Sequence, residues 1–128
     1  MINMPEKVRS VPLYTTSGNL GGFLRYPYIF NPQGEWIGWV TAEREVFSVY
    51  GKYVGWLDRG FRILRQRSYN YKHAARTPPG RPGKFTRPAQ VPLPSMMAEI
   101  TASTVDVLEE RPDLMPTEDA FAYSDDGG

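Results

Sequence analysis

Tyr14-Thr-Thr-Ser-Gly18-Asn-Leu-Gly-Gly22-Phe-Leu24, Phe30-Asn-Pro-Gln-Gly34-Glu-Trp-Ile-Gly38-Trp-Val40 and Phe47-Ser-Val-Tyr-Gly51-Lys-Tyr-Val-Gly55-Trp-Leu57 are one pattern written three times. Each copy opens on an aromatic, places Gly four residues later and again after four more, and closes on an aromatic–aliphatic pair. The glycines recur at intervals of 16 and then 17 residues. Only a few residues separate the copies, which is hairpin spacing and too short for a helix of ordinary length. Tyr, Phe, Trp, Ile and Val dominate, with Thr15 and Thr41, and these are strand formers.

The glycines divide into two sets. Gly18, Gly34 and Gly51 follow turn-forming residues, where a hairpin needs positive φ. Gly22, Gly38 and Gly55 fall inside the return strands, where Gly marks a bulge or a close approach by a neighbour. Three in register point to a shared packing need, and a bulky aromatic of the next copy lying over each is the expected occupant. The turns between copies are read at Arg25-Tyr26-Pro27, Ala42-Glu43-Arg44 and Asp58-Arg59-Gly60. A fourth, degraded copy follows. Phe61-Arg62-Ile63-Leu64 reads as its opening strand, Arg65-Gln66-Arg67 as its turn and Ser68-Tyr69-Asn70-Tyr71 as its return strand. Units this small bury an apolar face only against one another. The fold class is therefore mainly β: a small closed or near-closed assembly of about four hairpin repeats with pseudo-four-fold symmetry.

Five segments are expected. Residues 1–10 are a polar lead-in and 11–72 the repeat domain. Residues 73–94 are a basic linker; Arg76–Pro94 holds six Pro and two Gly, which excludes regular strand or helix and predicts an extended strap. Residues 95–111 predict an acidic amphipathic helix. Ser95 is its N-cap, Met97, Ile100, Thr104 and Leu108 form a docking stripe, and Pro112 limits its end. Residues 112–128 are an acidic tail with a short turn from Thr117.

These three signatures, Gly18–Leu24, Gly34–Val40 and Gly51–Leu57, resemble the four-fold β-flower domain, a small bacterial family with no assigned molecular function. The Pro-rich Thr77–Pro94 extends the likeness. The resemblance implies a repeat-β fold and carries no catalytic residues to this chain.

Charge is segregated. Met1–Leu57 holds five basic and four acidic residues, Asp58–Gln90 nine and one, and Val91–Gly128 one and nine. Such asymmetry is the strongest compositional signal of an interaction. Arg59, Arg62, Arg65, Arg67, Lys72 and Arg76, interleaved with aromatics, compose a candidate polyanion or partner face. The acidic segment offers an intramolecular mate for it.

Catalytic chemistry finds little support. His73 is the single histidine and reads as linker. Paired carboxylates occur only in the tail, where no cleft perturbs them. Zero cysteines exclude thiol chemistry and Cys-ligated metal. No cofactor is implied, and no stretch of about 18 apolar residues exists to span a membrane. The first ten residues carry no secretory signal, so a cytoplasmic protein is expected. The reading is a non-enzymatic structural or interaction module, associating with itself or another protein. The alternative is a binder of nucleic acid or another polyanion through residues 59–87.

Overall fold

The computed structural model describes residues 9–68, 70 and 72–118. The lead-in up to residue 8, Tyr69, Tyr71 and the tail from residue 119 lie outside them, and with them part of the expected fourth return strand and most of the turn from Thr117. Eight strands form one antiparallel sheet in chain order. They are β1 (Val11–Tyr14), β2 (Leu20–Arg25), β3 (Tyr28–Phe30), β4 (Trp36–Val40), β5 (Glu45–Ser48), β6 (Tyr53–Leu57), β7 (Ile63–Gln66) and β8 (Thr104–Asp106). The sheet curls into a half-barrel.

The first three hairpins share their turn chemistry. Gly18, Gly34 and Gly51 adopt φ of 90°, 90° and 84°. Each amide donates back to Thr15, Asn31 or Ser48, at 2.9, 2.9 and 3.0 Å. The side chains of Thr15, Asn31 and Ser48 accept further turn amides, from Asn19, from Gln33 and Glu35, and from Tyr50 and Lys52. A side-chain oxygen just after the aromatic opener is thus part of the repeat.

The second glycines serve a different purpose from the one expected. In each hairpin the register slips beside them: Leu13 faces Gly22 and Tyr14 faces Leu20, Ile29 faces Gly38 and Phe30 faces Trp36, Val46 faces Gly55 and Phe47 faces Tyr53. These are β-bulges, which sharpen twist and bend the strand. A Cβ at Gly22, Gly38 or Gly55 would strike the carbonyl oxygen of Phe30, Phe47 or Leu64; for Gly38 the separation would be 2.6 Å. The neighbour is backbone of the next hairpin, joined at Gly38 by the Met115 methyl at 2.5 Å, and not an aromatic ring. Leu64 thereby stands where Tyr14, Phe30 and Phe47 stand, so the fourth opener is Leu64. Phe61 instead occupies the preceding turn at φ 63°.

The fourth hairpin is built from distant pieces. β7 pairs with β8 through Leu64–Asp106, Arg65–Val105 and Gln66–Thr104. Arg65 and Gln66 are therefore strand residues, not turn residues. The helix expected over 95–111 is confined to α1 (Val107–Glu110), followed by a 3-10 turn at Pro112–Leu114. Met97 and Ile100 lie in extended chain, Thr104 is in β8 and Leu108 in α1, so they share no helical face. The reason is physical: β7 needs a ladder partner, and β-branched Thr104 and Val105 suit a strand better than a helix.

No ladder joins β1 to β8 among the described residues. Asp106, 2% exposed, spans the gap instead. Its Oδ2 accepts from the Thr16 amide at 2.7 Å and the Thr16 hydroxyl at 2.6 Å.

One face of the sheet is aliphatic. Leu13, Ile29, Val46, Val54 and Ile63 form a buried cluster closed by Val107 and Met115. The opposite face carries Phe23, Phe30 and Phe47 beneath the strap, residues 67–103, which contains no regular element among its described residues. Gly38→Val should cost about 3 kcal/mol or more, because the clash is with backbone. Thr41→Val loses one hydrogen bond, from the Glu45 amide, and should cost about 1 kcal/mol. Urea unfolding of both variants measures the difference.

Candidate functional site

The strap crosses the hairpins in reverse order. His73 stacks on Tyr53 with ring centroids 3.7 Å apart and planes 4° from parallel. The Arg76 amide donates to the Gly51 carbonyl at 2.9 Å, and its guanidinium lies 5.6 Å from the Phe47 centroid. Tyr28 donates its hydroxyl to the Gly80 carbonyl. Phe85 stacks on Phe30 at 4.3 Å and tilts against Phe23 at 5.4 Å. The Tyr14 hydroxyl donates to Pro92, and Pro94 packs by Gly18. Arg76, Phe85 and Pro94 thus meet Gly51, Gly34 and Gly18 at successive nine-residue steps. Proline keeps this chain extended, and few of its amides need a ladder.

A cavity of about 750 Å³ opens where the strap begins. Ser48, Tyr50, Lys52, Tyr53 and Val54 of the third hairpin form one side. Arg65 of β7 and His73 and Ala75 of the strap form others, and Asp113, Leu114 and Pro116 complete it. Arg65 is 5% exposed, and its Nη1 donates to the Val54 carbonyl at 2.8 Å. Asp113 is held below the ordinary carboxylate range chiefly by the hydrogen bond from Arg111, with a smaller contribution from the charge of Arg65. Smaller hollows of about 440 and 430 Å³ lie by Gly21 and by Phe85.

The six residues of the candidate basic face are dispersed by these contacts. Arg62 is 8% exposed and donates to Asp58 at 2.9 Å, to Thr16 at 3.2 Å and to the Ala98 carbonyl at 2.7 Å. Arg65 enters the cavity wall. Arg67 pairs with Glu110 at 3.2 Å and donates to the Ala102 carbonyl. Arg76 lies 3.6 Å from Glu45. Arg59 and Lys72 are exposed. Of the expected docking stripe, Leu108 reaches Gly21, where an added Cβ would stand 3.0 Å from its Cδ1. Among the described residues no group of three His, Asp or Glu is placed to hold a metal ion. No helix among them is long and apolar enough to cross a membrane.

A family model described as 4-fold beta flower protein matches residues 11–108. The chain belongs to the 4-fold β-flower family. No curated protein and no solved structure matches it. The matched span runs through the strap to β8 and α1, so this β-flower includes the segment that completes its fourth hairpin. Sequence reasoning missed Asp106 and the Arg65 cavity. The one available signal was the intact 17-residue step from Phe47 to Leu64, which places Arg65 directly after an opener.

Beside the Asp106 junction, Glu109 accepts from the Ser17 amide at 3.1 Å. That amide, with further help from the Ser17 hydroxyl, holds the Glu109 carboxyl below its ordinary value. A lowered folded value stabilises above the unfolded value of about 4.3 and is lost as pH falls through the folded one. Glu109→Gln should therefore flatten the acid limb of the β-flower's melting temperature by lowering it slightly near neutral pH and leaving it unchanged in acid; thermal melts across that range read the difference.

Proposed function

We propose that this β-flower is a non-enzymatic interaction module whose strap and C-terminal strand fold back on their own sheet. One observation carries the reading: β8, contributed after the whole strap, supplies the ladder partner of β7. A strap of this length also permits β8 of one copy to complete the sheet of another, which is self-association by exchange. The charge division supports the same reading. Basic Arg67 and Arg81 meet acidic Glu110 and Glu118 across the chain. These pairs are largely exposed and orient the segments more than they stabilise them. A cytoplasmic location belongs to this proposal.

Mass measured over a wide concentration range distinguishes fold-back from exchange. A constant monomer means fold-back, a concentration-dependent dimer means exchange, and a stable association with neither identifies the partner as another protein. Truncation after Pro94 removes β8 and exposes the β7 edge. The truncated chain should melt at a markedly lower temperature; an unchanged melt would sink the reading.

The polyanion reading keeps one favourable observation. Arg59, Lys72, Arg81, Lys84 and Arg87 are all exposed, four of them along the strap. Charge-driven binding to single- or double-stranded nucleic acid should be strong at about 50 mM salt and fall steeply by about 200 mM. Absence of binding at the lower salt removes this alternative.

A further inference from the structure

The cavity beside Arg65 has the composition of a small-molecule site, independently of whether the module associates with a protein. We propose that it binds a small amphipathic anion: an apolar, preferably aromatic body carrying a single carboxylate, sulfonate or phosphate group. Its volume of about 750 Å³ falls within the range of about 300–1,000 Å³ typical of ligand sites. Such sites are mostly apolar with a few placed polar groups. Here Tyr50, Tyr53, Val54, Ala75, Leu114 and Pro116 supply the apolar wall. The stacked Tyr53–His73 pair makes part of that wall flat and rigid.

The charge of the wall selects the sign of the ligand. Arg65 and Lys52 are its cationic side chains, and His73 adds an imidazole. Asp113 is the one carboxylate lining it among the described residues. Both Asp113 oxygens accept from Arg111, at 2.9 Å each, so its charge is matched outside the cation pair. Glu45 stands 3.8 Å from His73 and 3.6 Å from Arg76, behind the strap. Among the described residues the wall thus brings two cationic side chains, Arg65 and Lys52, to a cavity whose carboxylate is bound by Arg111. Arg65 is also positioned in advance: its Nη1 is fixed on the Val54 carbonyl, and the guanidinium sits within the sheet rather than on a flexible rim. A fixed planar donor fork suits a carboxylate, sulfonate or phosphate oxygen pair. A single anionic group is favoured over a polyanion, because Asp113 also lines the cavity.

The test uses the full chain and 8-anilinonaphthalene-1-sulfonate, an aromatic sulfonate that fluoresces in apolar surroundings. N-phenyl-1-naphthylamine is its uncharged counterpart. The folded protein, shown by a cooperative melt, should bind the sulfonate saturably with one site per chain, and the uncharged probe about tenfold more weakly, the worth of one charge-assisted hydrogen bond. Ala75→Trp, on the exposed strap, should fill the cavity and weaken both probes about tenfold or more while leaving the melt unchanged. Arg65→Met should abolish the preference for the sulfonate, and Arg65→Lys should restore part of it. If Arg65→Met does not fold, Lys52→Met and Ala75→Trp carry the test, with Lys52→Met reducing the sulfonate preference. Non-saturable binding, equal affinity for the two probes, or full affinity in Ala75→Trp would each overturn the proposal.

Discussion

The approach of one hairpin's glycine to the next hairpin's carbonyl is the constraint on which this β-flower rests. At Gly22, Gly38 and Gly55 there is no room for a Cβ, because the carbonyl of Phe30, Phe47 or Leu64 occupies the space. The register slip beside each glycine turns the return strand and brings the next opener close. Repeating the same bend makes a sheet of short strands curl, as bulges in register are known to do. Everything outside the sheet depends on this curvature, since it sets where the hairpin tips stand and what the strap must cross.

The curled sheet has two unlike faces. Its aliphatic side is closed by Val107 and Met115, which arrive with the C-terminal segment. Its aromatic side is covered by a chain that has almost no ladder to make. Covering rings with proline-rich extended backbone is economical in conformational terms, because little freedom is lost when such a chain is laid down. Rings also give the strap discrete footholds: Tyr53 under His73, Phe47 under Arg76 and Phe30 under Phe85. The strap thus acquires a nine-residue step of its own, matched to hairpins that repeat every 16 or 17 residues.

Part of the charge division of the chain is met within the molecule, by Arg67 with Glu110 and Arg81 with Glu118. Arg62 is buried among Asp58, Thr16 and the Ala98 carbonyl, at the same junction where Asp106 joins β8 to the first turn. A buried guanidinium and a buried carboxylate sharing Thr16 specify which segment ends beside β1. Such specificity is a common use of buried charge, more than net stability. Arg65, one turn of the pleat further along, lines the cavity instead.

Local order was written in the sequence. The spacing of Tyr14, Phe30 and Phe47 against their glycines determined the hairpins, because period, turn residue and strand propensity all act within about ten residues. Proline density determined the extended strap for the same reason. What only the tertiary structure decided is non-local. The stretch holding Met97, Ile100, Thr104 and Leu108 has helical spacing, yet Thr104–Asp106 became a strand because the open edge of β7 outweighed a weak local preference. The space beside Gly38 is taken by a carbonyl and the Met115 methyl and not by a ring, because such proximity is set by the bend of a neighbouring strand and by the C-terminal segment. Arg62 and Arg65 looked like surface cations, since nothing adjacent in sequence reveals that a segment some forty residues later will cover them.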